Sequence, residues 1–171
     1  FIITIKKIED ERGSFSRIFC SNEFKHEGLN TNWVQMNTSY NKNKGTLRGL
    51  HFQRSPKSEI KVVKCLRGSI YDIVVDLRED SESYGKWFGV NISEKNSKVL
   101  YIPKGFAHGY ITLEDNTELL YLHSEFYNKD YEDGLLYNDS SLGILWPVPI
   151  TTISEKDKIN KKLNEIKAIR I

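Results

Sequence analysis

The chain has 171 residues, 39% hydrophobic and 28% charged, and its 25 basic and 23 acidic side chains leave a formal net charge of +2. That length and balance fit one globular domain with a sizeable core and exclude a disordered chain or a disulfide-stapled miniature. Charges of both signs are interspersed, which argues against a nucleic-acid surface, and no run approaches the roughly 20 apolar residues of a membrane span.

From Phe1 there is no basic lead into an apolar segment, so no signal peptide is expected, and a cytoplasmic location is. Cys20 and Cys65 lack metal-type spacing and read as free buried thiols in a reducing compartment. Short alternating runs separated by turn residues then follow one another, the pattern of an all-β chain. In "GTLRGLHFQ", residues 45–53, His51 stands three residues after Arg48. An ideal strand turns these two to opposite faces, so a bulge is expected at Gly49 if both serve one site. "EIKVVKCL" carries Lys61, and "KVVKCLRGSIYDIVV" reads as two strands joined in a hairpin at Arg67-Gly68-Ser69. Within the second of these, Tyr71, Ile73, Val75 and Leu77 share one face, opposite Ile70, Asp72, Val74 and Asp76.

"KWFGVNI", "KVLYIP", "AHGYITL" and "ELLYLHSEFY" continue the series, with breaks at Pro103 and Gly105. In the last run Tyr121 and His123 point to one face and Leu120, Leu122 and Phe126 to the other. The tail differs: Ile159, Leu163 and Ile166 lie at helical spacing, and Ser154 followed by Asp157 resembles an N-terminal cap, which predicts a helix over residues 154–168. No repeat or composition shift divides the chain. One domain is expected over residues 1–171, with a β sandwich, jelly roll or barrel over about 1–150 and the late helix packed on it.

A histidine among apolar residues is ordinarily a satisfied core side chain, so His51 needs company to be functional. "PKGFAH", residues 103–108, has the form Pro-x-Gly-x-x-His, and with a histidine in an earlier strand it resembles the second half of the paired motif of cupins, small jelly-roll barrels. Metal-binding cupins bring a His-x-His pair from the first half, whereas residue 53 here is Gln, a poor ligand, so no metal is expected. His, Lys and Tyr around one cavity suit another chemistry. A base and an acid facing each other, with a cation for a developing oxyanion, would remove and return a proton next to a carbonyl.

Taken in order, "DERGSF", "VQMNTS", "GTLRGLHFQ", "KVVKCLRGSIYDIVVDLREDS", "YGKWFGVNIS", "YIPKGFAHGY", "LLYL", "YNDSSLGILWP" and "ISEKD" resemble the dTDP-4-dehydrorhamnose 3,5-epimerase family over residues 9–157. The resemblance implies a cupin-type jelly roll without cofactor or metal, acting on a nucleotide-activated 4-keto-6-deoxy sugar. By the same resemblance His51 is the base and Asp157 its carboxylate partner. Lys61 steadies the enolate oxygen, Tyr121 donates a proton from the opposite sugar face, and His108 contacts substrate. Arg12, Gln35, Asn37, Arg48, Glu132 and Lys156 match positions that hold the nucleotide sugar, with arginines suited to its diphosphate. A homodimer is implied, with an exchanged N-terminal strand through which Arg12 would serve the partner's site. The chain departs from the family pattern at Arg17, Met36, Leu122 and Tyr137, most of them on the nucleotide side. Epimerisation at one centre and ketoisomerisation start from the same enolate. A metal-dependent cupin enzyme or a non-catalytic sugar-binding cupin would share the fold.

Overall fold

Runs that alternate at period two bury one face only by pairing, and the pairing here gives two antiparallel sheets. The computed structural model describes residues Phe1–Ile171. In chain order its first elements are β1 Ile2–Thr4, β2 Lys7–Asp10, β3 Gly13–Ser16, α1 Ser21–His26, β4 Gln35–Asn41, β5 Leu47–Gln53 and β6 Lys61–Arg67. There follow β7 Ser69–Asp76, β8 Trp87–Ser93, β9 Lys98–Ile102, β10 Phe106–Thr112, β11 Thr117–His123, β12 Glu132–Gly134 and α2 Glu155–Lys158. One sheet runs β1-β9-β6-β11-β4 and the other β12-β5-β10-β7-β8, while β2 and β3 form a separate hairpin. From β4 to β12, successive strands alternate between the two sheets, except that β7 and β8 are neighbours. This is the β-sandwich arrangement of a jelly roll. No helix is long and apolar enough to cross a membrane.

The hairpin expected at Arg67-Gly68-Ser69 is not formed. β6 pairs with β9 and β11, and β7 with β8 and β10, so the link at Gly68 is a corner between sheets. Crossing over lets Val63 and Cys65 meet Ile70 in the interior, which two strands side by side could not do. Gly68 turns the corner at φ +78°, where a Cβ would lie 2.5 Å from Thr117 Oγ1. Cys65 is buried there, and burial pushes its thiol up to about 11; Cys20 precedes α1, and neither is bridged.

Apolar residues form three layers. Val63, Cys65, Leu100, Ile102 and Leu119 of one sheet face Ile70, Val90, Ile92 and Tyr110 of the other. Outside the β5-containing sheet, Leu50, Phe52, Ile73, Val75 and Leu77 are covered by Leu135, Leu142, Ile166 and Ile169. Outside the other, Val62, Val99, Tyr101 and Leu122 are covered by Ile5 and Phe24, with Trp33 alongside.

The tail is not the expected continuous helix. α2 stops after four residues and only a 3-10 turn follows, at Leu163–Glu165. The backbone between and beyond them bonds to the domain instead: Leu136 N–H donates to Lys161 C=O at 2.7 Å, and Ile169 N–H to Leu77 C=O at 2.7 Å. Ile166 therefore reaches the outer core as part of a strap, while Ile159, expected on the same face, is exposed. Tertiary hydrogen bonds and apolar cover outweigh the weak helical preference of a short polar segment.

The bulge expected at Gly49 is present. Between the pairs His108↔His51 and Tyr110↔Arg48 the register shifts, so Gly49 and Leu50 oppose Gly109 alone. Gly49 has φ +113°, and a Cβ there would lie 2.7 Å from both Gly109 Cα and His108 O. Gly49→Ala should therefore lower the unfolding free energy by about 2 kcal/mol or more, through strain and overpacking. The check is a shift in the urea midpoint at unchanged m-value.

Candidate active site

The space between the sheets is apolar at one end and polar at the other. At the polar end lies a cavity of about 610 Å³, lined among others by Arg48, His51, Lys61, His108, Tyr121 and Asp157. A second, of about 480 Å³, adjoins it through the shared residues Asn37, His51, Lys61 and His123. These volumes suit a small organic ligand.

His51 reaches the cavity from β5, just past the bulge. Its Nε2 lies 2.6 Å from Asp157 Oδ1, which leaves Nδ1 without a protein partner. Asp157 arrives from α2, where Ser154 Oγ accepts the Asp157 N–H at 3.1 Å. The cap read from the sequence is thus real on the backbone side, but the Asp157 carboxylate turns to β5. Its second oxygen accepts the Gly49 N–H at 3.1 Å. Burial works against the Asp157 charge, but the bonds from His51, Gly49 and Ser154 more than offset it and hold the carboxyl below its usual range. A carboxylate so placed orients the imidazole and steadies the cation formed when the ring takes a proton.

Tyr121, on β11 in the facing sheet, lines the same cavity. Burial, with the neighbouring Tyr110 and Asp72 adding to it, raises the phenol well above its usual value, so the hydroxyl keeps its proton. Lys61, on the adjacent β6, pairs with Glu59 at 3.1 Å. Arg48 Nε donates to Asn41 Oδ1 at 2.8 Å, and the buried Tyr110 hydroxyl donates to the same oxygen at 3.2 Å. His108 Nε2 lies 2.7 Å from Asp72 Oδ1, with both side chains buried. Burial pushes the Asp72 carboxyl up against the opposing pull of His108 and Lys61.

Around the second cavity, Glu132 Oε2 accepts from Lys156 Nζ at 2.5 Å and from the Tyr127 hydroxyl at 2.9 Å. Gln35 accepts the Tyr127 N–H at 3.1 Å. Of the eleven residues expected in the site, ten line one or both cavities: Gln35, Asn37, Arg48, His51, Lys61, His108, Tyr121, Glu132, Lys156 and Asp157. Arg12 does not. It is exposed at the tip of the β2–β3 hairpin and pairs with Asp10 at 2.5 Å, because this short arm leans on no other strand of its own chain. Arg17 pairs with Glu23 on the surface, Met36 is exposed, and Leu122 is buried on the face opposite Tyr121.

Asp72, Tyr110, Glu59 and His123 belong to the cavity region and were not expected there as functional groups. Strand alternation held the signal for three of them: Asp72 faces away from the Ile73 set, Tyr110 lies two residues past His108 on β10, and His123 shares a face with Tyr121. Glu59 lies outside any strand, where alternation says nothing.

The family model described as dTDP-4-dehydrorhamnose 3,5-epimerase matches residues 1–165. A protein of that description from Shigella flexneri is 43% identical over 153 residues, covering 89% of this chain and 84% of that one. Another from Methanothermobacter thermautotrophicus is 42% identical over 167 residues, 96% of this chain and 89% of the other. Among solved structures, dTDP-6-deoxy-D-glucose-3,5-epimerase from Legionella pneumophila, in complex with dTDP-4-keto-L-rhamnose, superposes with a TM-score of 0.93 at 36% identity. That match covers 99% of this chain and 92% of that one.

Because the folded Asp157 carboxyl lies below its ordinary value, its stabilising contribution is complete above that value and is lost as pH falls through the folded one. Asp157→Asn should lower stability near pH 7 by about 1–3 kcal/mol. The gap to the unsubstituted protein should close as pH drops below about 4, measured by urea unfolding across pH.

Proposed function

The chain belongs to the dTDP-4-dehydrorhamnose 3,5-epimerase family, and on that premise we propose how its own residues carry out the inversion. The enzyme is an isomerase that epimerises dTDP-4-keto-6-deoxyglucose at C3 and C5. The C4 keto group acidifies the protons on both neighbouring carbons. His51 takes a proton through Nδ1 while Asp157 stabilises the imidazolium. The electron pair moves onto O4, where the Lys61 ammonium meets the enolate charge. Tyr121 then gives a proton to the same carbon from the other side, and the configuration inverts.

One observation carries this reading: the carboxylate-held imidazole and the proton-keeping phenol come from opposite sheets and face one cavity. A sugar ring lying between them has one face toward each. Removal on one face and return on the other is what inversion requires. Arg48 and Lys156 are the cations suited to the diphosphate, Gln35, Asn37 and Glu132 supply polar contacts to the rest of the nucleotide sugar, and His108 closes the inner wall beside Tyr121.

The β2–β3 hairpin supports a shared site. Its cross-strand pair Ile8↔Phe15 is exposed and no other strand of this chain covers it. An arm of this kind packs on a second copy, which would carry Arg12 to the nucleotide end of the partner's cavity.

Three measurements test the proposal. NMR of dTDP-4-keto-6-deoxyglucose with enzyme in deuterated water should show deuterium entering at C3 and at C5, and His51→Ala should abolish both. Exchange at a single carbon would make this a single-centre epimerase, and exchange that survives in His51→Ala would refute the base assignment. Light scattering should give a dimer, and Arg12→Ala should raise KM about tenfold with little change in kcat. A monomer, or an unaltered KM, would rule out the exchanged arm.

A further inference from the structure

A further carboxylate–imidazole pair, Glu59 with His123, lies at the same cavities and has no part in the steps above. Glu59, just before β6, is 8% exposed at its side chain. It places Oε2 2.7 Å from His123 Nδ1 and Oε1 3.1 Å from Lys61 Nζ. Lys61 and His123 are register partners across β6 and β11, so one carboxylate spans two neighbouring strands. Asn37 Nδ2 donates to His123 Nε2 at 3.3 Å, which puts the ring proton on Nδ1, directed at Glu59. The His123 ring also stacks on Tyr121, centroids 5.9 Å apart and planes 23° from parallel.

A lysine ammonium is a point charge on a flexible stem, with no geometry of its own to keep it at a chosen spot. Lys61 is 12% exposed, and a cation this buried needs a counter-charge. Glu59 is that counter-charge. Burial opposes its ionisation, but the His123 hydrogen bond and the Lys61 charge more than offset this and hold its carboxyl below the usual range. Glu59 would itself be free to rotate without His123, which takes its other oxygen and is braced in turn by Asn37 and the Tyr121 ring.

We propose that Glu59 and His123 are positioning residues for the oxyanion site: Glu59 sets the Lys61 ammonium where O4 of the substrate develops charge, and His123 locks Glu59. The inference rests on the assignment of Lys61 as the group that meets the enolate. A trio that served only the packing of the two strands would affect stability, and the loss of Glu59 would depress turnover to the same degree whether or not Lys61 were present.

A double-mutant cycle over Glu59→Gln and Lys61→Met separates the two, with kcat, KM and the initial rate of deuterium entry read for each protein. Glu59→Gln should lower kcat at least tenfold with KM within threefold, and slow deuterium entry by the same factor. In the Lys61→Met background the same substitution should cost less than about twofold, because its target is gone. His123→Asn, whose shorter amide keeps an N–H for Glu59, should retain at least about fivefold more kcat than His123→Phe. Wild-type turnover in Glu59→Gln, an undiminished penalty in the Lys61→Met background, or equal turnover in the two His123 variants would overturn the proposal. Full turnover in Lys61→Met alone would instead remove the oxyanion assignment, and this inference with it.

Discussion

The buried carboxylate of Asp157 is the tie on which the site depends. A charge removed from water must find partners, and Asp157 finds them in the His51 ring and the Gly49 N–H, both on β5. The bond does two things together. It fastens the tail to the edge of the sandwich, closing one wall of the cavity, and it selects which imidazole nitrogen remains for the substrate. The Gly49 bulge makes the contact available, since it offers a backbone N–H that the β5–β10 ladder does not use and lets Arg48 and His51 line one cavity.

The alternating connection of strands divides the chemistry. One sheet supplies His51 and His108; the other supplies Lys61, Tyr121 and Asn37. A base and an acid on neighbouring strands of one sheet would approach a sugar from the same side and could only return the proton to where it came from. Placing them on facing sheets gives each ring face its own group. The spacing of the sheets, set by Val63, Leu100, Leu119 and their opposites at the apolar end, then fixes the gap in which the ring must fit.

The polar end of the interior is a set of buried carboxylates, each against a cation or an imidazole. Asp157 meets His51, Asp72 approaches His108, and Glu59 spans Lys61 and His123. Such groups cost more than apolar packing would, so their concentration at one end of the sandwich marks where the fold gives up stability for chemistry. The apolar end and the two outer layers offset that cost.

The sequence by itself determined a good deal: the β-rich class from period-two alternation, the faces of the β7 and β11 runs, the bulge at Gly49 from the odd spacing of Arg48 and His51, and, through ordered motifs, eleven candidate site residues of which ten line the cavities. These are legible because strand periodicity and short motifs are local. Tertiary structure alone decided the rest. Gly68 could turn a hairpin or a corner, and only the burial of Val63 and Cys65 against Ile70 selected the corner. Ile159, Leu163 and Ile166 had helical spacing, but backbone bonds to Leu77 and Leu136 made the tail a strap. Glu59 drew no notice in its loop, because its role lies in reaching two strands that are neighbours only after folding. Arg12 lies outside the cavities of its own chain, on an arm that pairs with no other strand of that chain. Each of these outcomes turns on contacts between segments far apart in sequence, whose energies no local pattern contains.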